Sequence, residues 1–203
     1  MTNIDAPTAG RTPQTRVARV LTDGLAPANL VIASLLVIGT ASTASWSGFG
    51  WGLLAATFAG IIPLAIILRG VHQGRLSDKH IGRREQRTIP LLASIGSVVI
   101  GTVLLLILGA PRPVSALIVA MLVVLLVTVP ITLRWKVSVH AAVATAVVVV
   151  LVITFGAWLL VAAVLAAAVG WSRVVLRDHT TAQVLVGALL GGVVAGVIFG
   201  ALS

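Results

Sequence analysis

The sequence predicts an all-α integral membrane protein, a polytopic bundle of six to seven transmembrane helices. Three observations carry that prediction. The 203-residue chain is 59% hydrophobic and 9% charged, with a mean hydropathy of +1.14, whereas about a quarter of a soluble domain is charged. Seven apolar stretches of roughly bilayer length follow one another along the chain. The basic residues collect in the connections that alternate helices would place on one side of a membrane.

Residues 1–25 are polar, rich in Thr, Ala and Arg, and lack a signal-peptide core. They read as a disordered N-terminal tail, with helix expected, if anywhere, from Thr15 to Leu25. Residues 26–203 read as a single transmembrane domain. Its apolar stretches are 29–45, 50–68, 90–110, 114–133, 139–154, 157–171 and 181–202. The fifth and sixth are short. As one helix, residues 139–171 would run about 50 Å at ~1.5 Å per residue, too long for one crossing of a ~30 Å core. Phe155 and Gly156 therefore mark a tight hairpin. Pro111, Arg112 and Pro113 mark the turn before the fourth span, and Pro130 should kink that span. The last span carries Gly187, Gly191, Gly192, Gly196 and Gly200, mostly four apart, a small-residue face for close helix packing.

Seven spans place the N-terminal tail and the connections 69–87, 134–140 and 172–179 on one side. Of the 14 Lys and Arg, only Arg112 falls on the other side. All four histidines and all five acids also lie on the first side. Cytoplasmic loops carry such an excess of Lys and Arg, so the N-terminus and the polar face are expected in the cytoplasm, in a multi-pass inner (plasma) membrane protein. The Ala/Val/Gly-rich composition suggests a bacterial source. There is no cysteine, which excludes disulfides, thiolate zinc sites and a thiol nucleophile. The membrane-proximal acids Asp78, Glu85 and Asp178 show no ligand spacing, so no metal and no cofactor is expected. The net charge of +9 reads as topology and anion binding, not as a nucleic-acid surface. The oligomeric state is left open.

Three polar segments converge on that side: SDKHIGRREQRTIP (77–90), KVSVH (136–140) and SRVVLRDHTTAQ (172–183). They offer many cations, hydroxyls and histidines but few carboxylates. Such an inventory suits an anion, and phosphate above all. Arginine forks match phosphate oxygens, and the amides and dipole at a helix start favour negative charge. Histidine serves as nucleophile or acid near neutral pH. On a helix His80, Arg83 or Arg84, and Arg87 would share a face.

The second and third segments resemble the signatures of the type 2 phosphatidic acid phosphatase family, which shares its fold with vanadium haloperoxidases. That family has Lys-X6-Arg-Pro, then Pro-Ser-Gly-His, then Ser-Arg-X5-His-X3-Asp. Here the order is the same, from Lys79 to Gln183. The resemblance implies that His179 attacks phosphorus and that His140 protonates the leaving alcohol and then activates water. It implies that Arg173, Arg87, Ser138 and the Val139 amide hold the phosphoryl oxygens. Lys136, Lys79, Arg83 and Ser172 complete the expected phosphate-binding set. Three departures stand out. The first motif is degenerate, because a strict Lys-X6-Arg spacing ending at Arg87 starts at His80, with Lys79 one residue off. Val139 replaces glycine. Gln183 replaces the aspartate that orients the nucleophile, a part that Gln183 would fill without charge and for which Asp178 or Asp78 is the alternative.

The resemblance implies a membrane lipid-phosphate phosphatase, metal-independent, acting on a phosphomonoester or diphosphate. The lipid would be phosphatidate-like, or a polyprenyl phosphate or its sugar-phosphate derivative. The alternative is a catalytically impaired relative that binds or transports anionic lipid. A transporter built on inverted repeats finds no support, since there is no such repeat and no charged pair in mid-membrane.

Overall fold

The computed structural model describes residues 12–43, 45–76 and 88–203, and among these it has helices and no strands. The first helix, α1 (Pro13–Gly24), opens with Thr12, whose side chain accepts from the Thr15 amide, and with proline at its first position. The expectation of a disordered tail thus does not describe residues 13–24. Ala18 and Thr22, one turn apart, are buried, because this face of α1 packs on α8.

Next come α2 (Pro27–Thr43), α3 (Trp46–Ala56) and α4 (Ile62–His72). A wide π turn, Thr57–Ile61, joins α3 to α4. Pro63, in the first turn of α4, has no N–H and crowds the preceding turn, and the wide turn relieves that crowding. Together they form one span, Trp46–His72, longer than the 50–68 expected. Helix α2 crosses α3 backbone to backbone: a Cβ on Gly39 would lie 2.6 Å from the Gly48 carbonyl, and one on Gly52 2.5 Å from the Leu35 carbonyl.

The remaining helices are α5 (Thr88–Ile107), α6 (Arg112–Arg134), α7 (Val139–Phe155), α8 (Ala163–Val175) and α9 (Thr181–Leu202). Gly109 (φ +73°) ends the α5 connection, and Gly156 (φ +103°) makes the hairpin turn expected between the fifth and sixth spans. A 3-10 turn, Ala157–Ala162, leads from it into α8. Five helical stretches are long and apolar enough to cross a membrane, α1 and α2 make a sixth as a pair bent by 45°, and α7 is a shorter apolar helix.

Helix α7 sits at the centre, against α9, α8 and α2. The core around it includes Leu35, Ile38, Leu105, Ile118, Val150 and Phe199. Helix α9 is two-faced in an unusual sense. Leu185, Leu189, Val193 and Val197 form an exposed apolar stripe, suited to lipid, while glycines line the opposite face. A Cβ on Gly187 would stand 2.5 Å from the Ser138 carbonyl, and one on Gly191 would collide with the Ala142 carbonyl. The glycine face therefore lets α9 lie directly on the first turns of α7.

Candidate active site

That close crossing determines what meets at the polar end of the bundle. Ser138 is the N-cap of α7, and its Oγ accepts from the Ala141 amide at 3.3 Å. The Ser138 amide donates to the Gln183 carbonyl in α9 at 3.2 Å. His140, one residue into α7, is thereby held beside the start of α9.

The gap between Arg173 and His179 has a structural reason. Helix α8 ends in a reversal in which the Asp178 amide donates to the Arg173 carbonyl at 3.0 Å and the Arg177 amide to the Val174 carbonyl at 2.9 Å. This is the Schellman pattern, which needs a left-handed residue, and Arg177 supplies it with φ +56°. The His179 amide also donates to the Arg173 carbonyl, at 3.2 Å. Five intervening residues are what this turn consumes. Thr180 then caps α9, its side chain accepting from the Gln183 amide while the Thr180 amide donates to Gln183 Oε1 at 3.1 Å.

Arg173, His140 and His179 are 4%, 7% and 9% exposed. Buried arginine is rare unless paired; here the Arg173 guanidinium meets Asp178 at 3.1 Å. All three side chains line one cavity of about 480 Å³. Val139, Asp23, Asn29 and Thr132 share its lining. Its remaining wall is mostly apolar and includes Val98, Leu117, Met121, Leu125 and Ala195. Two helix N-termini, of α7 and α9, open beside the cluster, and their dipoles favour an anion.

The structure thus brings His140, Arg173, His179 and Val139 together. Ser138 is fully buried as the cap next to them, and Lys136 is half-buried in the α6–α7 link. Two residues have other occupations. Ser172, expected among the phosphate ligands, is fully buried; its hydroxyl donates to the Val169 carbonyl at 2.7 Å and meets Thr22 Oγ1 at 2.9 Å, which anchors α1. Gln183, expected to orient His179, uses its side-chain oxygen in the cap of its own helix. Lys79, Arg83 and Arg87, with His80, Arg84, Asp78 and Glu85, lie outside the described residues. Asp23, Asn29 and Thr132 were not singled out from the sequence. The cap-and-proline pair Thr12–Pro13 was the available sign that the segment bearing Asp23 is ordered.

The family model described as PAP2 superfamily matches residues 87–202. The chain belongs to the PAP2 superfamily. The match runs from Arg87 through α5 to α9 and so contains both histidines and Arg173, while α1 to α4 precede it. Members of this family are generally phosphatases acting on phosphate esters, which agrees with a buried cationic and imidazole cluster at two helix starts. No curated protein and no solved structure matches the chain.

Proposed function

We propose that this protein is a membrane lipid-phosphate phosphatase that works through a phosphohistidine. One observation carries the reading: the cavity that holds His140, Arg173 and His179 continues along a wall of apolar side chains between the helices. A phosphate at the cluster would leave its acyl or prenyl tail in that apolar part. The substrate is a phosphomonoester or diphosphate, on a phosphatidate-like lipid, a polyprenyl phosphate or a polyprenyl sugar phosphate.

In the first step a His179 ring nitrogen attacks phosphorus and the P–O bond to the lipid breaks. His140 gives its proton to the departing oxygen, so a neutral alcohol is released from a monoester and the lipid monophosphate from a diphosphate. In the second step His140 takes a proton from water, the water oxygen attacks the phosphohistidine, and phosphate departs with His179 restored. Arg173, oriented by Asp178, neutralises charge on the equatorial oxygens, where positioning and electrostatics supply most of the catalysis. Ser138, the Val139 amide, Lys136 and the loop residues Arg87, Lys79 and Arg83 are assigned to the same oxygens. The reaction as written uses no metal. Residues 26–203 form the catalytic domain, with α1 bound to its surface.

The second reading, an impaired relative that binds or moves anionic lipid, draws on the occupied Gln183 side chain. Release of inorganic phosphate from a panel of lipid phosphates in detergent, wild type against His179→Ala, decides between them. Release that depends on His179 supports the phosphatase; none from any lipid supports the second reading.

We place the protein in a bacterial inner membrane with the cluster facing the cytoplasm. When Lys79, Arg83, Arg84, Arg87, Lys136 and Arg173 are set aside, Arg11, Arg16, Arg19, Arg69, Arg75, Arg134 and Arg177 still fall on that side in the seven-span reading, against Arg112 alone.

A further inference from the structure

We propose that the Thr132 hydroxyl hydrogen-bonds the acyl ester carbonyl of the lipid substrate, so that the site favours a glycerolipid-type phosphate over ether and prenyl phosphates. The inference rests on the phosphatase reading and names its substrate class.

Thr132 lies two residues before the end of α6, on the wall of the same cavity as His140, Arg173 and His179. It is 2% exposed, and its Oγ1 has no hydrogen-bond partner. This sets it apart from five other threonines in the apolar helices. Thr40, Thr57, Thr102, Thr128 and Thr154 each donate to the carbonyl four residues earlier, the usual refuge of a hydroxyl in an apolar helix. Thr132 does not use it. A buried hydroxyl without a partner is costly, and a ligand acceptor in the cavity would remove that cost.

Position argues for the acceptor. One face of α6 lines the cavity at Leu117, Met121, Leu125, Thr128 and Thr132. These positions extend about 22 Å along the helix at ~1.5 Å per residue. Thr128 spends its hydroxyl on its own helix, and the positions below it are apolar. Thr132 therefore leaves its hydroxyl unclaimed at the polar end, above the apolar wall. An ester carbonyl occupies the matching place in a phosphatidate, between the phosphate and the chain. Ether lipids and prenyl phosphates have no carbonyl there.

The test compares wild type, Thr132→Val and Thr132→Ser on three substrates of similar chain length: a diacyl phosphatidate, its diether analogue and a prenyl phosphate. Losing one neutral hydrogen bond should lower kcat/KM of Thr132→Val on the diacyl lipid by roughly three- to tenfold. The other two substrates should be unaffected, and Thr132→Ser should retain the preference. Ligand-free Thr132→Val should melt no lower than wild type, since no internal bond is lost. An equal loss on all three substrates, no loss on any, or a clear fall in ligand-free stability would overturn the proposal. Thermal stabilisation by the diacyl and diether lipids is measured in parallel. If wild type hydrolyses nothing, the phosphatase reading fails, and selective loss of diacyl stabilisation in Thr132→Val still decides the part played by Thr132.

Discussion

Gly187→Ala tests whether the glycine face of α9 is what builds the catalytic geometry. A Cβ at position 187 would stand 2.5 Å from the Ser138 carbonyl oxygen, about 0.9 Å inside ordinary contact at 3.4 Å, and the obstacle is backbone rather than a side-chain tip. The two helices must separate or slide by most of that distance at the level of Ser138. His140 lies two residues beyond Ser138, and His179 leads into α9, so the shift falls on the distance between the proposed acid and nucleophile. A 1 Å misplacement can cost about 10²-fold in rate. Gly196→Ala is the control, because its Cβ would meet only Val149 Cγ1, at 3.6 Å. There the helix-propensity gain of about 1 kcal/mol should leave stability equal or improved. Phosphate release by purified protein, with thermal melting alongside, gives the answer. Gly187→Ala should lose about two orders of magnitude in turnover while Gly196→Ala keeps wild-type activity. Wild-type turnover in Gly187→Ala would refute the argument from helix packing to site geometry.

Three further outcomes are expected. Arg173→Lys should lower kcat by at least about tenfold, because a point charge replaces the planar fork that meets Asp178 and, in the proposed mechanism, the phosphate; unchanged kcat would remove Arg173 from the site. Gln183→Asp should keep or raise phosphatase activity by restoring the family carboxylate, whereas Gln183→Leu should cost about 1 kcal/mol in melting experiments through loss of the helix cap; a collapse of turnover in Gln183→Asp with the fold intact would show that the site depends on a neutral partner. In the proposed topology, seven crossings from a cytoplasmic N-terminus, a C-terminal reporter active only outside the cytoplasm should signal; activity of a cytoplasm-only reporter there would overturn that topology.

The apolar stretches of the chain were sufficient to locate the membrane helices, because each announces itself by length and hydropathy, whereas the polar α1 was read as tail. The turn at Gly156 was legible for the same reason: a membrane core of ~30 Å does not accommodate residues 139–171 as one helix of about 50 Å at ~1.5 Å per residue. The ends of the second span were not legible. The helix runs to Trp46 and His72 because flanking polar and aromatic residues extend it beyond its apolar stretch. Glycines four apart signalled close packing, but not which helix they would meet, since that depends on tertiary contacts with α7. The grouping of His140, Arg173 and His179 was legible from motif spacing, which a Schellman turn and two helix caps translate into geometry. Ser172 and Gln183 were harder, because a hydroxyl or amide in a motif does not reveal whether its own backbone or a distant helix will claim it. Thr132 carried no sequence signal at all: one threonine among many in apolar helices is set apart only by the bond it fails to make.

The account stands most directly on His179 as the nucleophile. Brief incubation with a lipid phosphate carrying labelled phosphorus, followed by an alkaline quench that preserves phosphohistidine, should leave label on the peptide containing His179. The bond should be acid-labile, and neither label nor phosphate release should appear in His179→Ala. Phosphate release by His179→Ala at the wild-type rate, or label on another residue, would contradict it.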